Sequence, residues 1–348
     1  MTGGPLGTST KYRAPFLQVT GPNDEDMLKT WGSRLIGVKL IDRASDVSDE
    51  AIFMFTRKPP YIPLPNDGTP FRVRLGWSNT DVVLVGYYTF QRTHIFGSPK
   101  RGQQLHLICR SANLVEHFKA VDSQHFEKEN GHYTMGDVFR SIFRSTGQSV
   151  DVHPDIAKLE IPGGYLLRWN QSAIDFASEL ADANGAHVKI QGDKVLILKD
   201  YSKQSVSGKD LPRITIKHNE NYEFDVELEP RFEYRKVTAR YLNTDEGRLE
   251  SAEKAEGQGK DGDVLPHTYS SKDQAERAAA AVAAAWAANS GTGLFTSHGR
   301  PEAVADAPVR CVGFGPEIDG AAWISTIVTH DVNPDVGWVT TVETSIDP

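Results

Sequence analysis

Cysteine is nearly absent from this chain: Cys109 and Cys311 are the two in 348 residues, and they stand far apart. Without a Cys-x-x-Cys pair there is no basis for a zinc ribbon or a thioredoxin-type redox centre. Both cysteines read as small buried hydrophobes of a protein folded in a reducing compartment. Long apolar runs are lacking too, since no stretch approaches the about 18 residues of a membrane-spanning helix. The opening residues, MTGGPLGTST, carry neither the basic nor the apolar part of a signal peptide. Basic charge is in deficit, with 38 Lys and Arg against 46 Asp and Glu and a formal charge of −8. That argues against a surface built to grip phosphate backbones, but is compatible with one that nucleic acid passes without sticking.

What is present reads mostly as strand. In FRVRLGW, residues 71–77, Phe71, Val73 and Leu75 alternate with Arg72 and Arg74, the period of a half-buried strand. VVLVGYYTFQRTHIF follows, with Gly86 expected as a bend or bulge, and QQLHLICRSA returns after the turn GSPKRG. This predicts a three-stranded antiparallel meander. The end of the chain repeats the pattern: PVRCVGF, the connection GPEIDG, AAWISTIVTHDV, the turn NPDVG and WVTTVETSI. Strand order and turn placement match, with Val73 set against Val309, which predicts an internal duplication of one β-domain.

Between the copies the texture changes. HYTMGDVFRSIFRSTG has Met135, Val138, Phe139, Ile142 and Phe143 at helical spacing, with Thr134 as N-cap and Gly147 as stop. A second helix ends near Gly185, and a hairpin turns at Gln191-Gly192-Asp193. Later, SSKDQAERAAAAVAAAWAANSG predicts a helix over about 271–289, with Ser271 and Gln274 as a capping signal and Gly291 as a stop. Ala275, Ala279, Val282 and Trp286 form one stripe, expected to pack across a sheet. The fold class expected is mainly β with an α+β insert. It comprises a first tube-like antiparallel β-barrel domain over 1–115, a small α/β domain over 116–212 and a second tube-like barrel over 213–348. The last is interrupted by a polar, mobile loop at about 244–267.

Chemistry is hard to place on this frame. His330 and Asp331 are neighbours in a strand and point to opposite faces, so they cannot pair as in a triad; Ser297 and His298 fail in the same way. His125, Glu127 and His132 lack the His-Glu-x-x-His order that sets two metal ligands on one helix face. Neither glycine cluster, at 163–164 or 291–293, opens a helix with phosphate-cradle spacing. Glu223, Asp225, Glu227 and Glu229 alternate along a strand; such a row can bind a cation but more often faces water or a basic partner. No catalytic, cofactor-binding or metal residue is assigned. The Pro-Glu-Ile-Asp-Gly loop is expected to be a hairpin connection of a scaffold.

The closing pattern, Gly-Phe-Gly-Pro-Glu-Ile-Asp-Gly, Trp-Ile, Val-Thr-His and Gly-Trp-Val-Thr-Thr, resembles the phage late control D family. These are baseplate hub proteins of contractile tails, related to the hub part of VgrG-type spikes. The Thr-Met-Gly-Asp helix, the helix ending before Gly-Ala and its hairpin, and the Ser-x-x-x-Ala-Glu-x-Ala helix are similar to those of the family in the same order, from about residue 16 to the end. The resemblance implies a structural, non-enzymatic hub without cofactor. It implies a homotrimer whose two barrels per chain make a pseudo-six-fold ring, adapting a three-fold spike to a six-fold tail tube. Implied partners are the tail spike protein, the tail tube protein, other baseplate proteins and tape-measure protein in the lumen. DNA would pass through unbound, and no membrane is involved. The expected location is the virion tail tip, after assembly in the host cytoplasm. Arg72, Arg74, Ala279, Trp286, Trp323, His330 and Trp338 are the candidate interface residues. The absence of a spike module after Pro348 favours a separate-chain hub. Two alternatives stay open: the hub of a phage-derived injection or type VI-like secretion particle, and a tail-associated cell-wall hydrolase, which would need paired carboxylates at a cleft.

Overall fold

The computed structural model describes residues 14–44, 48–78, 83–100, 102–111, 120–229, 236–255 and 262–348. The first part runs β1 (Pro15–Thr20), α1 (Met27–Trp31), β2 (Leu35–Arg43), β3 (Glu50–Thr56), β4 (Pro70–Trp77), β5 (Val83–Ser98) and β6 (Gly102–Arg110). Their neighbour order is β1-β4-β5-β6-β3-β2. Alternation buries Phe71, Val73 and Leu75 of β4 with Phe53 and Phe55 of β3 and Trp31 of α1 in one core. Gly86 is regularly paired with Val73 and is not a bulge. It makes room for an aromatic ring: a Cβ there would lie 2.4 Å from the ring of Tyr88. The bulge falls further on, between Phe90 and Arg92.

The middle part contains β7 (Val121–Glu127), α2 (Met135–Ile142), β8 (Ser149–Val152), α3 (Pro154–Ala157), β9 (Tyr165–Ser172), α4 (Ala173–Asp182), β10 (Ala186–Gln191) and β11 (Lys194–Lys199). Thr134 caps α2 in a reciprocal box with Asp137, and Gly147 ends the following turn at φ 72. The apolar face of α2 (Met135, Val138, Phe139, Ile142) meets Phe176 and Ala177 of α4 and Val188 and Ile197 of the hairpin in a second core.

The last part has β12 (Ile214–Lys217), β13 (Phe224–Leu228), β14 (Lys236–Asn243), β15 (Arg248–Ala255), β16 (Gly262–Tyr269), α5 (Lys272–Ala288), β17 (Gly291–His298), β18 (Pro308–Val312), α6 (Pro316–Asp319), β19 (Trp323–Asn333) and β20 (Gly337–Ile346). The stretch expected as a polar loop at about 244–267 instead contributes β15 and β16, which flank β14 in a sheet of three. Leu249 and Val264 are exposed there, so the apolar signal of this sheet is one-sided and diluted by charge. Helix α5 lays Ala275, Ala279 and Ala283 across its inner face, against Val237, Ala239 and Ala252. Ser271 Oγ accepts from Gln274 N–H, while Gln274 Oε1 accepts from Ser270 N–H. Gly291 is the first residue of β17, beyond the helix end. The Pro-Glu-Ile-Asp segment is a single helical turn, α6, and the Asp319 carboxylate accepts from the N–H groups of Gly313 and Phe314.

The two β parts share one plan. With β14, β15, β16 and α5 set aside, the last part runs β18-β19-β20-β17-β13 with β12 beside β18, matching β4-β5-β6-β3-β2 with β1 beside β4. The match extends to residues. Pro70 pairs Thr89 as Pro308 pairs Ile324. The bulge between Phe90 and Arg92 recurs between Ser325 and Ile327. Val309 therefore corresponds to Phe71, two residues from the match expected with Val73; the slip preserves the buried face because side chains alternate with period two. One departure is that β1 runs antiparallel to β4 whereas β12 runs parallel to β18.

The expected pair of closed barrels is not what forms. Among the described residues no sheet closes on itself; β2 pairs along β19 and fuses both β parts into one open sheet of 12 strands. Ladder pairing at that edge satisfies backbone groups that a closed barrel would satisfy internally.

Candidate functional site

Where the three parts meet, the chain buries charge. Lys189 lies in β10, a strand otherwise fit for burial, and its ammonium has left water almost completely. Its Nζ sits 2.5 Å from Asp42 Oδ1 and 3.1 Å from Asp49 Oδ1, and donates to the Arg43 carbonyl at 3.0 Å. Asp42 Oδ2 accepts from Ala305 N–H at 2.9 Å, and Asp49 Oδ1 from Arg43 N–H at 3.0 Å. One ammonium thus ties the end of β2, the segment before β3, the α/β part and the 305–306 segment before β18.

The electrostatics follow from who stands beside whom. Burial opposes the charge on Asp42, but the Lys189 ammonium and the bonds from Lys189 and Ala305 outweigh it and lower its pKa. Asp49 is second in line: burial and the Asp42 charge push it up to about 6, against the pull of Lys189. Burial likewise opposes the Lys189 charge, yet the two carboxylates raise its pKa. A lysine held protonated in this way is neither base nor nucleophile at neutral pH. Close by, His187 Nδ1 lies 2.7 Å from Asp200 and its Nε2 3.6 Å from Asp306. Burial is again outweighed by these carboxylates, and its pKa rises. A cleft of about 330 Å³ opens on Asp42, Asp49, Tyr88, Lys189, Asp306 and His330. Its charged groups are spent on one another, so the arrangement acts as a clamp. Of these residues only His330 was singled out from the sequence; for the others the available signal was a lysine between Val188 and Ile190 in the otherwise apolar stretch AHVKI of β10.

The candidate interface residues divide. Arg72 and Arg74 are on the outward face of β4; Arg72 lies 3.8 Å from Asp24 and Arg74 donates to Gln18 at 3.2 Å. Trp286 is partly buried against the α5 core. Ala279, Trp323, His330 and Trp338 are buried within the chain, so in this arrangement they offer a partner no surface. Trp323 Nε1 donates to the Ile318 carbonyl. Trp338, on β20, packs with Trp77 at 4.9 Å and joins the core of the first β part. These large side chains look like binding anchors in sequence, but the core of the last β part takes up Trp323 and the joint between the two β parts takes up Trp338.

His330 Nδ1 is 3.0 Å from Thr340 Oγ1. Burial pushes its pKa down to about 4. The unfolded chain takes up a proton below about 6.5 while the folded chain does not, so stability present above that pH is lost as the pH falls towards 4. His330→Leu removes the titration, and Thr340 Oγ1 still accepts from Arg300 N–H. In urea titrations the wild-type chain should lose about 3 kcal/mol relative to His330→Leu between pH 7 and pH 4. A difference that does not change with pH would mean the folded chain takes up this proton as readily as the unfolded one.

His125 Nδ1 pairs with the Tyr165 hydroxyl, Glu127 accepts from Asn130, and the His132 ring packs on Phe126. Among the described residues no group of three or more His, Cys, Asp or Glu is placed to hold a metal ion. The acidic row lies along β13 and its ends, on exposed residues. Its strand is the last of the sheet, and Phe224 and Leu228 on the opposite face are exposed although apolar. At the other part of the sheet β4 leaves β5 after Pro70–Thr89, so residues 92–97 of β5 have β6 on one side and no strand on the other among the described residues. Ile95 there is 49 % exposed.

No family model matches the chain. It is 25% identical over 99% of its length to a probable baseplate hub protein of Escherichia phage 186, covering 96% of that protein. It is 24% identical over 93% of its length to the probable baseplate hub protein of Escherichia phage P2, covering 91% of it. Among solved structures, the 43 kDa tail protein of prophage MuSo2 from Shewanella oneidensis shares the fold, with a TM-score of 0.66, 10% identity and coverage of 94% of this chain and 97% of that one. The similarity first carried by the motifs therefore extends along nearly the whole chain, which is a relative of the phage baseplate hub proteins.

Proposed function

We infer that this chain is a structural hub subunit of a phage baseplate, located in the virion tail and built in the host cytoplasm. The observation that carries the reading is the six-strand plan made twice in one chain and fused by β2 and β19. A duplicated unit lets a three-fold assembly offer six similar edges, which is what a ring between a three-fold spike and a six-fold tube requires. The finer division into 1–115, 116–212 and 213–348 is supported by separate cores in the first β part, the α/β part and the last β part. The β14–β16 sheet with α5 carries a fourth core of its own. The partners that go with this reading are two further copies of the chain, a spike protein, the tube protein and other baseplate proteins. Tape-measure protein and DNA would occupy the lumen, and the acidic balance of the chain suits a passage that does not retain DNA. The role is structural and not enzymatic.

Native mass spectrometry of the purified chain, alone and with a candidate spike protein, tests the reading. A trimer, or three hub chains with three spike chains, is expected. A monomer under both conditions removes the reason for the duplication, and glycan hydrolysis would then be the activity to assay.

A further inference from the structure

The duplication has two joints to fill and the single chain fills one. Within the chain, β2 lies antiparallel along β19 from Arg43 opposite Ile327 to Val38 opposite Val332. The strand equivalent to β19 is β5, and the strand equivalent to β2 is β13. Residue equivalences follow from the ladders. The hairpin ends Ser98–Gly102 and Asn333–Gly337 correspond, as do the two bulges, so Arg92 stands for Ile327 and Gly97 for Val332. Phe53 pairs Val38 as Phe295 pairs Phe224, so Phe224 stands for Val38 and Glu229 for Arg43. In β5 the edge equivalent to the one β2 covers is open, and in β13 the edge equivalent to the one β2 offers is open, among the described residues.

We propose that β13 of one copy of this chain adds antiparallel to the open edge of β5 in the next copy, repeating between copies the joint that β2 and β19 make within one. Transferring the register sets Glu229 opposite Arg92, Leu228 opposite Thr93, Glu227 opposite His94, Val226 opposite Ile95, Asp225 opposite Phe96 and Phe224 opposite Gly97. The chemistry of the two edges agrees with that register, although the register was obtained from backbone pairing alone. On one face three carboxylates line up: Glu229 meets Arg92, Glu227 meets His94, and Asp225 stands opposite Phe96 without a cation. On the other, Phe224, Leu228 and Ile95, each more than 40% exposed in the single chain, leave water together. The internal joint places its cross-strand ion pair, Lys39 with Asp331 at 3.7 Å, where Asp225 and Phe96 would stand, so the two joints share their ladder but not the positions of their charges. Strand addition satisfies both rows of backbone groups, and opposed pairs add specificity. The contact is head-to-tail, each copy donating one strand and receiving one, so it propagates until it closes. The partner is a second copy of the chain; that three copies close the ring rests on the hub reading above.

A disulfide trap tests the pairing. Directly opposed strand residues bring Cβ atoms within the reach of a disulfide, and the native cysteines are buried. The double variant Glu227→Cys with His94→Cys should give, on mild oxidation, a covalent trimer in non-reducing gels. Glu227→Cys with Thr93→Cys, which point to opposite faces, should give none. The equivalent internal pair, Ile41→Cys with Thr329→Cys, should close within the chain and calibrates the chemistry. Charge reversal gives a second reading without cysteines. Arg92→Glu or Glu229→Arg alone should weaken self-association at least about tenfold, because like charges then face each other. The two together should restore it to near the wild-type level. A wild-type trimer by native mass in which the Glu227→Cys, His94→Cys pair stays uncrosslinked, while the internal pair closes, overturns the strand joint and leaves the hub reading standing. A wild-type chain that remains monomeric overturns both.

Discussion

Lys189→Met should destabilise the folded chain by about 3–5 kcal/mol, the cost of leaving buried carboxylates without their cation. The side chain that remains fills a similar volume, so the loss is electrostatic and not a cavity effect. Asp42 and Asp49 would face each other across the joint with only backbone N–H groups to hold them. Because Lys189 joins the α/β part to β2 and, through Asp42, to Ala305, the loss should also loosen the parts relative to one another. Urea unfolding gives the magnitude, and hydrogen exchange should show early opening at 40–43, 189–191 and 305–306. Adding Asp42→Asn and Asp49→Asn removes the stranded charge while an amide oxygen can still accept from Ala305 N–H and Arg43 N–H. The triple variant should recover most of the stability, since neutral replacement of a whole buried charge cluster is often tolerated. A loss below about 1 kcal/mol for Lys189→Met would show that water reaches the ammonium and that the cluster is a surface feature.

Ala279→Trp is the second large effect. The Ala279 side chain is fully buried between α5 and the sheet of β14, β15 and β16. The helix approaches that closely because Ala275, Ala279 and Ala283 present nothing beyond a methyl group. An indole cannot be housed without moving the helix off the sheet, and overpacking of this size costs about 3 kcal/mol or more. The damage should be local. The fourth core shares no residue with the other three, so hydrogen exchange should rise over 236–255 and 262–288 while the α/β core stays protected. Uniform loss of protection across the chain would mean that this small sheet is needed for the whole fold. Ala279→Ser, nearly the same size, should lose far less.

Much of the fold was legible in local pattern. Period-two alternation in FRVRLGW marks β4, helical spacing with Thr134 and Gly147 marks α2, and the Ala stripe marks α5 and the face it buries. The duplication was legible as order and spacing, though its register was off by two residues because a slip of two leaves alternation intact. What was not legible is long-range. The stretch expected as a loop at about 244–267 holds strands because β14 templates their ladders, while its own residues are largely polar. Lys189, Asp42 and Asp49 are ordinary charges in sequence and become a clamp only when β10, β2 and the segment before β3 converge. Trp323, His330 and Trp338 carry the side chains of an interface, but the core of the last β part buries Trp323 and the joint of the two β parts takes up His330 and Trp338.

By itself the sequence determined that the chain is a cysteine-poor, mainly β protein with an α/β insert, a repeated β-domain seen as a three-stranded meander made twice, and a resemblance to phage baseplate hub proteins, because each of these is written in local periodicity and motif order. Only the tertiary structure decided that the two β parts form one open sheet and not two closed barrels, where the buried charges meet, and which strand edges remain to be paired. Those depend on contacts between residues hundreds of positions apart, and backbone hydrogen bonding, which makes such contacts, is indifferent to the side chains from which a sequence is read.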